Sequence, residues 1–530
     1  MDGDILNQPP MLVDYNLFAT DRVLREAVAR EGAGWACAEL EEYGRKAGSA
    51  EVIEWGVLAN EYPPVLQTHD RYGQRRDEVE FHPAWHHLMR LAVEHGIHSA
   101  PWACPRPGAH VARAAMALMA SENEAGHICP VSMTYAAVPV LRQNDGIAGE
   151  WNPLVFSTNY DPAFRPASEK RGALIGMAMT EKQGGSDVRA NSTRAEPESG
   201  GAYVLHGHKW FCSAPMNDAF LVLAQAPRGL SCFLLPRWTP DGKRNAFHLQ
   251  RLKPKLGNRS NASSEVEFHG AWARLIGEEG RGVATIMEMV HHTRLDCVIG
   301  SAALMRRAVV EALHHSRHRH AFGRALIRQP LMRNVLADLA LESNAATMLA
   351  MRLARAFDEG DRGFARLAVA VGKFWVSKRT APLAAEALEC LGGNGFVEHS
   401  MMPRLYREAP LNSIWEGSGN VIALDVLRAI LKEPETLERL LAEVRLANDA
   451  RLDRFVANVR AEVVESGARR TAARLAVALE ASLLIRFSPP AIADAFCVSR
   501  LDGDWAHTFG SLPARCDIDS VIADCGLELP

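Results

Sequence analysis

The chain has 530 residues, 48% of them hydrophobic, which excludes wholesale disorder and suffices for several domains or one multilayered unit. A formal net charge of −4 gives no reason to expect nucleic acid or an anionic membrane as partner. Ten cysteines without a Cys-x-x-Cys pair, an acidic Met1-Asp2-Gly3-Asp4 start and the absence of a long apolar run lead to the expectation of a reduced, cytoplasmic chain with no membrane association.

Residues 1 to about 11 are polar and punctuated by proline, as in an arm lying on a neighbour. From Asp21 the apolar residues take helical spacing: Val23, Leu24, Ala27 and Val28, then Leu40 and Tyr43, then Leu88, Leu91 and Ala92. Residues 109–120 read as a buried helix. Residues 1–170 are therefore expected to form a helical N-terminal domain. Its histidines (His82, His86, His87, His95, His98) lack a cysteine or carboxylate partner set, so no metal site is expected.

Near Gly172 the texture changes. Short apolar runs at 203–205, 219–223 and 231–235 alternate with the turn signals Gly200-Gly201, Pro227-Arg228-Gly229 and Pro240-Asp241-Gly242. These predict a small antiparallel β domain, barrel or sandwich, over 171–282. Long apolar-striped helical runs then occupy 284–320, 331–357 and 364–391, with a fourth opening at 421–431. Short connections between them predict a four-helix bundle over 283–431. Lys432-Glu433-Pro434 breaks it, leaving a helical appendix with a polar tail over 432–530. The expected fold class is α+β, mostly α.

One carboxylate stands out. Glu416 lies between Ile414-Trp415 and the small run Gly417-Ser418-Gly419-Asn420, just before a helix. The glycines allow close approach to a ligand, and a helix start offers N–H groups to an anion. Ile414 and Trp415 are expected to strip water from Glu416 and strengthen it as a base. The alternative is a capped helix start whose Glu complements the dipole. Arg428, three turns on, either faces the same cavity or pairs with an acidic neighbour.

Four other stretches can hold a ligand. Met179-Thr180-Glu181-Lys182-Gln183-Gly184-Gly185-Ser186-Asp187-Val188 is a loop rich in backbone donors, or an ordinary turn. His208-Lys209-Trp210-Phe211-Cys212-Ser213 sets aromatic surface beside a hydroxyl, or simply packs a core. Arg319-His320-Ala321-Phe322-Gly323, with Gln329, can clamp phosphate. Its histidines (His314, His315, His318, His320) again lack carboxylates at matching spacing for zinc. Gly392-Gly393 follows a helix and not a strand, so it is a helix C-cap and no dinucleotide fingerprint.

The order of these stretches resembles the acyl-CoA dehydrogenase superfamily of flavoproteins over about 172–431. Nearly the whole chain resembles its AidB-like branch: Asn7-Gln8-Pro9-Pro10, Phe81-His82-Pro83, the 179–188 loop, Lys255-Leu256-Gly257-Asn258-Arg259-Ser260-Asn261-Ala262-Ser263, Pro403-Arg404-Leu405-Tyr406-Arg407-Glu408 and 412–420 all fit. The resemblance implies FAD as cofactor, an acyl-CoA as substrate and α,β-dehydrogenation with Glu416 as base. Thr293, where some relatives carry the base, cannot be one. Cofactor contacts are implied at Met179, Thr180, Gly184, Gly185, Ser186, Asp187, Val188, Ser213, Arg319, Phe322, Gln329, Gly392, Gly393, Ile414, Trp415, Gly417, Ser418 and Asn420. Substrate contacts are implied at Lys182, Ser186 and Arg428. Trp415, Lys182 and Gln183 depart from the commoner residues, which leads to the expectation of slow or selective turnover. The resemblance also implies a homotetramer, an electron-transfer acceptor or oxygen as oxidant, and, as an alternative function, DNA binding in the alkylation response. The arginines available for that are Arg451, Arg454, Arg460, Arg469, Arg470 and Arg474, interspersed with Asp453, Glu462 and Glu465.

Overall fold

The computed structural model describes residues 7–457, 459 and 463–529. Its contacts form two compact units. One comprises Met1–Ile53, Arg106–Asn123 and Arg294–Pro530, the other Glu54–Pro105 and Glu124–Thr293. The helical segment expected over 1–170 is thus shared between the two. Among the helices are α1 (Pro83–Glu94), α2 (Ala109–Asn123), α3 (Ile128–Leu141), α4 (Gly282–His318), α5 (Pro330–Asp358), α6 (Arg362–Cys390), α7 (Gly419–Lys432), α8 (Glu435–Arg445) and α9 (Ala468–Phe487).

The unit built on residues 54–105 and 124–293 holds a two-stranded hairpin, β1 (Val65–His69) and β2 (Arg75–Glu80), and a seven-stranded sheet. The sheet strands are β3 (Ile175–Ala178), β4 (Arg194–Pro197), β5 (Ala202–Ser213), β6 (Ala219–Ala226), β7 (Gly229–Pro236), β8 (Phe247–Leu252) and β9 (Ser263–Ile276). Pairings β6–β4–β5–β9–β7–β6 close a ring, with β3 and β8 attached. The expected β domain is therefore a barrel. It is not purely antiparallel, because β3 and β4 pair with β6 in parallel. Long connections permit this: β3 reaches β6 only after 40 residues of loop and strand, which a hairpin could not do. Strand β6 is buried on both faces. Phe220 and Val222 point into the aromatic interior with Phe233, Phe247 and Phe268, while Leu221 and Leu223 meet α3 and its neighbours. Its sequence is accordingly a continuous apolar run. Thr134 on α3 fixes the helix to β3 by accepting a hydrogen bond from Ile175 N at 3.0 Å.

The unit built on 294–530 is helical. Helices α4 to α7 form the expected bundle. Gly372 lets α6 approach Leu349 and Leu353 on α5 and Val298 on α4. The appendix is part of this packing and no loose extension. Helix α9 packs on α5, α6 and α7. Leu475, Ala476, Leu479 and Leu483 of α9 are fully buried. Buried charges tie a later part of the appendix, at Arg500, to α5. Arg500 donates to Asp338 at 2.6 Å and to Glu342 at 3.0 Å, and Arg379 donates to Glu342 at 2.9 Å. The expected polar tail is held too, with Glu528 N donating to Thr20 O at 2.8 Å. No helix of the described residues is long and apolar enough to cross a membrane.

A buried carboxylate ties the barrel unit's helices to its β8–β9 connection. Glu124 accepts from Asn60, from Gly126 N and His127 N, from the His127 ring and from Ser260 Oγ, at 2.7 to 3.0 Å. Burial alone would raise its carboxyl. The His127 hydrogen bond and charge and the Asn60 amide outweigh that and hold it at about 2, against an ordinary 4.5. A carboxyl lowered in the folded state stabilises fully above its unfolded value and loses that contribution as pH falls through the folded one. Urea midpoints of the chain are therefore expected to drop between pH 4.5 and about 2. E124Q is expected to start lower at neutral pH and to flatten this acid limb.

Candidate functional site

Glu416 stands in the turn between a short 3-10 segment, Leu411–Ser413, and helix α7. Its own φ is +57° and that of Gly417 is +112°. Glycine tolerates such angles, but a glutamate held there carries strain of the order of 1–3 kcal/mol, so its surroundings must enforce the conformation. Three successive carbonyls show how. Lys373 Nζ, from α6, donates to Trp415 O at 2.8 Å and also to Gly417 O. Arg294 Nε, from α4, donates to the intervening Glu416 O at 3.1 Å. Both cations are buried, at 1% and 5% exposure. Burial lowers the Lys373 ammonium, an effect partly offset by Glu416.

Arg294 has a carboxylate partner behind the turn. Its Nη1 donates to Asp425 on α7 at 2.6 Å, and Arg366 on α6 donates to the same carboxylate at 2.9 Å. Burial pushes the Asp425 carboxyl up, but the two guanidiniums outweigh it and hold it below its ordinary value. Arg428 is the residue on α7 put forward for the substrate. It is largely exposed and lies 3.6 Å from Asp425. Trp415 donates its indole N–H to Asn412 Oδ1 at 2.8 Å. Ile414 is 61% exposed, so within this unit it does not dry Glu416 as expected; Glu416 is half-buried. Ser418 is the N-cap of α7 without a side-chain capping bond, and Gly417 precedes it with positive φ. Asn420 accepts from Arg469 at 2.7 Å.

In the barrel unit the loop 179–188 is pinned by a residue between two of the expected contacts. Glu181 is fully buried and accepts from Lys209 Nζ at 2.8 Å, Ser192 N at 2.6 Å and Thr193 N at 3.2 Å. The Lys209 charge and these bonds overcome burial and hold its carboxyl at about 2. Trp210 N donates to Thr180 O at 2.8 Å and Lys182 N donates to His208 Nε2 at 3.0 Å, so the loop rides on β5. Gly185 has no room for a side chain, because a Cβ would meet Thr180 Oγ1 at 2.4 Å. Gly184, with φ +131°, faces open space. Lys182, Ser186 and Asp187 are exposed, while Met179 and Val188 are half-buried. Phe211 is exposed at 51%, Ser213 is half-buried, and Lys253 lies 3.6 Å over Trp210.

The remaining expected contacts lie in the helical unit. Arg319, Phe322 and Gln329 surround a small hairpin, with Gln329 donating to Ala321 O at 2.9 Å. Phe322 is 97% exposed. The N-terminal arm, expected on a neighbour, is held by its own chain over residues 7–10. Asn7 O accepts from Arg319 at 2.6 Å, the Asn7 amide pairs with both backbone groups of His320, and Gln8 accepts from Asn394 at 2.9 Å. Gly392 ends α6, its N–H donating to Glu389 O, and both Gly392 and Gly393 face open space. The rings of His314 and His318 lie 4.4 Å apart, tilted at 48°, and each bonds a backbone carbonyl.

Residues 7–162 match the family model of the adaptive response protein AidB N-terminal domain, 176–271 the acyl-CoA dehydrogenase middle domain, and 280–431 the acyl-CoA dehydrogenase C-terminal domain. The AidB protein of Escherichia coli (strain K12) is 47% identical over 510 residues, 94% of each chain. The chain belongs to the AidB branch of the acyl-CoA dehydrogenase family. Members of the family are FAD-dependent oxidoreductases. Acyl-CoA dehydrogenase family member 11 of Caenorhabditis elegans is 31% identical over 493 residues, 89% of this chain and 78% of that one. The crystal structure of Caenorhabditis elegans ACDH-11 in complex with C11-CoA superposes with a TM-score of 0.82 at 27% identity, covering 99% of this chain and 93% of that one.

Sequence reasoning found the family's loops but missed what holds them: Lys373, Arg294 and Asp425 behind Glu416, and Glu181 with Lys209 behind the 179–188 loop. A signal existed. Lys209 shares strand parity with buried Leu205, and Lys373 interrupts an apolar helical stripe, so each had to find a buried partner. Three of the arginines put forward for DNA have partners within the chain. Arg451 pairs with Asp449 and Asp494, Arg469 bonds Asn420, and Arg474 bonds Phe455 O. Arg460 and Glu462 lie outside the described residues. Removing Asp425 leaves the buried Arg294 without its countercharge, while half-buried Arg366 keeps Glu433 at 3.5 Å, so D425A is expected to cost about 3–5 kcal/mol in urea unfolding at neutral pH. R428A breaks only the exposed arm of the same network and is expected to cost less than about 1 kcal/mol.

Proposed function

We propose that the chain is an FAD-dependent acyl-CoA dehydrogenase in which Glu416 is the base. The strained, buried-cation-held turn that carries Glu416 is the observation on which this rests. The residues present suit the cofactor. Ser418 leaves the N–H groups at the start of α7 without a side-chain cap, Gly184, Gly392 and Gly393 face open space, Phe322 and Ile414 expose apolar surface at expected contacts, and Phe211 exposes its ring two residues before Ser213. Exposed apolar side chains of this size call for a partner surface, and a planar ring system supplies one. The proposed contacts are those the family resemblance assigns: Met179, Thr180, 184–188, Ser213, Arg319, Phe322, Gln329, Gly392, Gly393, Ile414, Trp415, Gly417, Ser418 and Asn420, with Lys182 and Ser186 towards the thioester substrate.

Bound FAD supplies the hydride acceptor that no side chain can replace. Glu416 takes the α-proton of the acyl thioester onto its carboxylate. The α C–H electron pair becomes the new Cα=Cβ bond as the β-hydrogen departs with its own pair. Trp415 sits next to the base with its indole fixed by Asn412, so the acyl chains admitted are a restricted set and turnover with common acyl-CoAs is slow. A homotetramer and a separate electron acceptor complete the reading.

Purified protein is expected to be yellow and to bleach anaerobically with some member of a graded acyl-CoA series. E416Q is expected to retain FAD but to slow that bleaching by about 10²–10⁴-fold, the usual worth of a general base. A colourless protein, or an E416Q that bleaches at the original rate, would remove the reading.

A further inference from the structure

We propose that Lys373, acting with Arg294, is the positioning residue for Glu416: two buried cations grip three consecutive carbonyls and so fix where the carboxylate stands and favour its charged form. This rests on the reading of Glu416 as the base. Lys373 Nζ bonds the carbonyls of Trp415 and Gly417, the residues on either side of the glutamate, and Arg294 bonds the carbonyl of Glu416 itself. Rotating Glu416 out of its left-handed conformation would break all three bonds together. The clamp therefore supplies what the backbone strain requires, from helices α4 and α6, without touching the carboxylate's own oxygens.

The charges have a second effect. Lys373 directs its hydrogen bonds to carbonyl oxygens and to no carboxylate. The groups acting on it are Arg294 and Cys297 from α4, Lys378 from its own helix and Glu416 from the turn. Arg294 and Lys378 are cationic. The Cys297 thiol is pushed up to about 12 by burial and stays neutral. Glu416 is thus the anion of that set, and the attraction is reciprocal: an ammonium buried beside the turn favours the carboxylate over the acid. A base must be ionised to take a proton, so the charge of Lys373 extends the range over which Glu416 works towards lower pH. Arg294 contributes less in this respect, because Asp425 already balances it.

The variant K373M keeps the apolar stem and removes both donors and the charge, while K373R keeps charge and donors. Hydrogen exchange by mass spectrometry on the full chain is expected to show the amides of 413–418 exchanging about tenfold faster in K373M and near the original rate in K373R. The acid limb of anaerobic flavin reduction by acyl-CoA is expected to move up by about one pH unit in K373M, because a carboxylate losing a nearby cation titrates higher. FAD content per chain is the control. A side chain that merely fills space would lower the urea midpoint while leaving local exchange and the acid limb where they were, and that result overturns the proposal. If no acyl-CoA reduces the flavin of the unsubstituted protein, the dehydrogenase reading fails, and unchanged exchange in K373M still overturns the clamp by itself. Should K373M not fold, Arg294→Lys, which keeps a charge but shortens the reach to Glu416 O, carries the same exchange measurement with the same two outcomes.

Discussion

The turn that carries Glu416 is held by backbone carbonyls bonded to buried cations, and much of the helical unit is arranged to make that arrangement tolerable. A carbonyl turned inward needs a donor, and helix N–H groups are already committed to their own i−4 partners. Only a long side chain with several donors can reach three successive carbonyls from neighbouring helices. Lys373 and Arg294 do this, but burying a cation is costly unless its charge meets an opposite charge or oriented dipoles. Arg294 meets Asp425, which in turn takes Arg366. Lys373 meets two carbonyl dipoles and the field of Glu416. Helices α4, α6 and α7 are thereby joined to the turn that carries Glu416 by one connected set of charges.

The barrel unit solves the same problem with the signs reversed. There the buried anion Glu181 gathers donors from Lys209, Ser192 and Thr193, and the loop 179–188 closes over it. Thr180 and Lys182, on either side, are then fixed by Trp210 and His208 of β5. In each unit one or two buried charges do the anchoring, while neighbouring positions stay exposed. Exposed Ser186 and Asp187 remain available because Glu181 has done the anchoring.

Much of this was legible in the sequence, and the unread part follows from physics that sequence period does not encode. The helices announced themselves by 3.6-residue apolar spacing and β6 by its unbroken apolar run. The parallel pairing of β3 with β6 did not, since register across 40 residues depends on the barrel closing as a whole. Ile414 was assigned a drying role by its hydrophobicity, yet the left-handed turn after it leaves it exposed. Gly417 signals unusual angles, but nothing in Glu416 itself announces a positive φ. In the appendix the arginines drew attention, whereas the apolar stripe of Leu475, Leu479 and Leu483 is what fixes α9 against the bundle. Lys373 and Lys209 were readable in principle as cations in apolar stripes, but their partners come from distant stretches of chain, and only the fold brings them together.

Anchoring Glu416 through main-chain oxygens has a consequence for the residues beside it. A carboxylate positioned by side-chain bonds to its own oxygens would have to exchange those bonds for the incoming proton. The bonds that Lys373 and Arg294 make lie on the backbone and need not change when the carboxyl gains a proton. The groups around it, Ile414 and Trp415 among them, take no part in the clamp through their side chains: Trp415 contributes its carbonyl, and its indole is free to bond Asn412. The ring at position 415 can therefore change in size without displacing Glu416, because the atoms that Lys373 and Arg294 grip are those that every residue possesses.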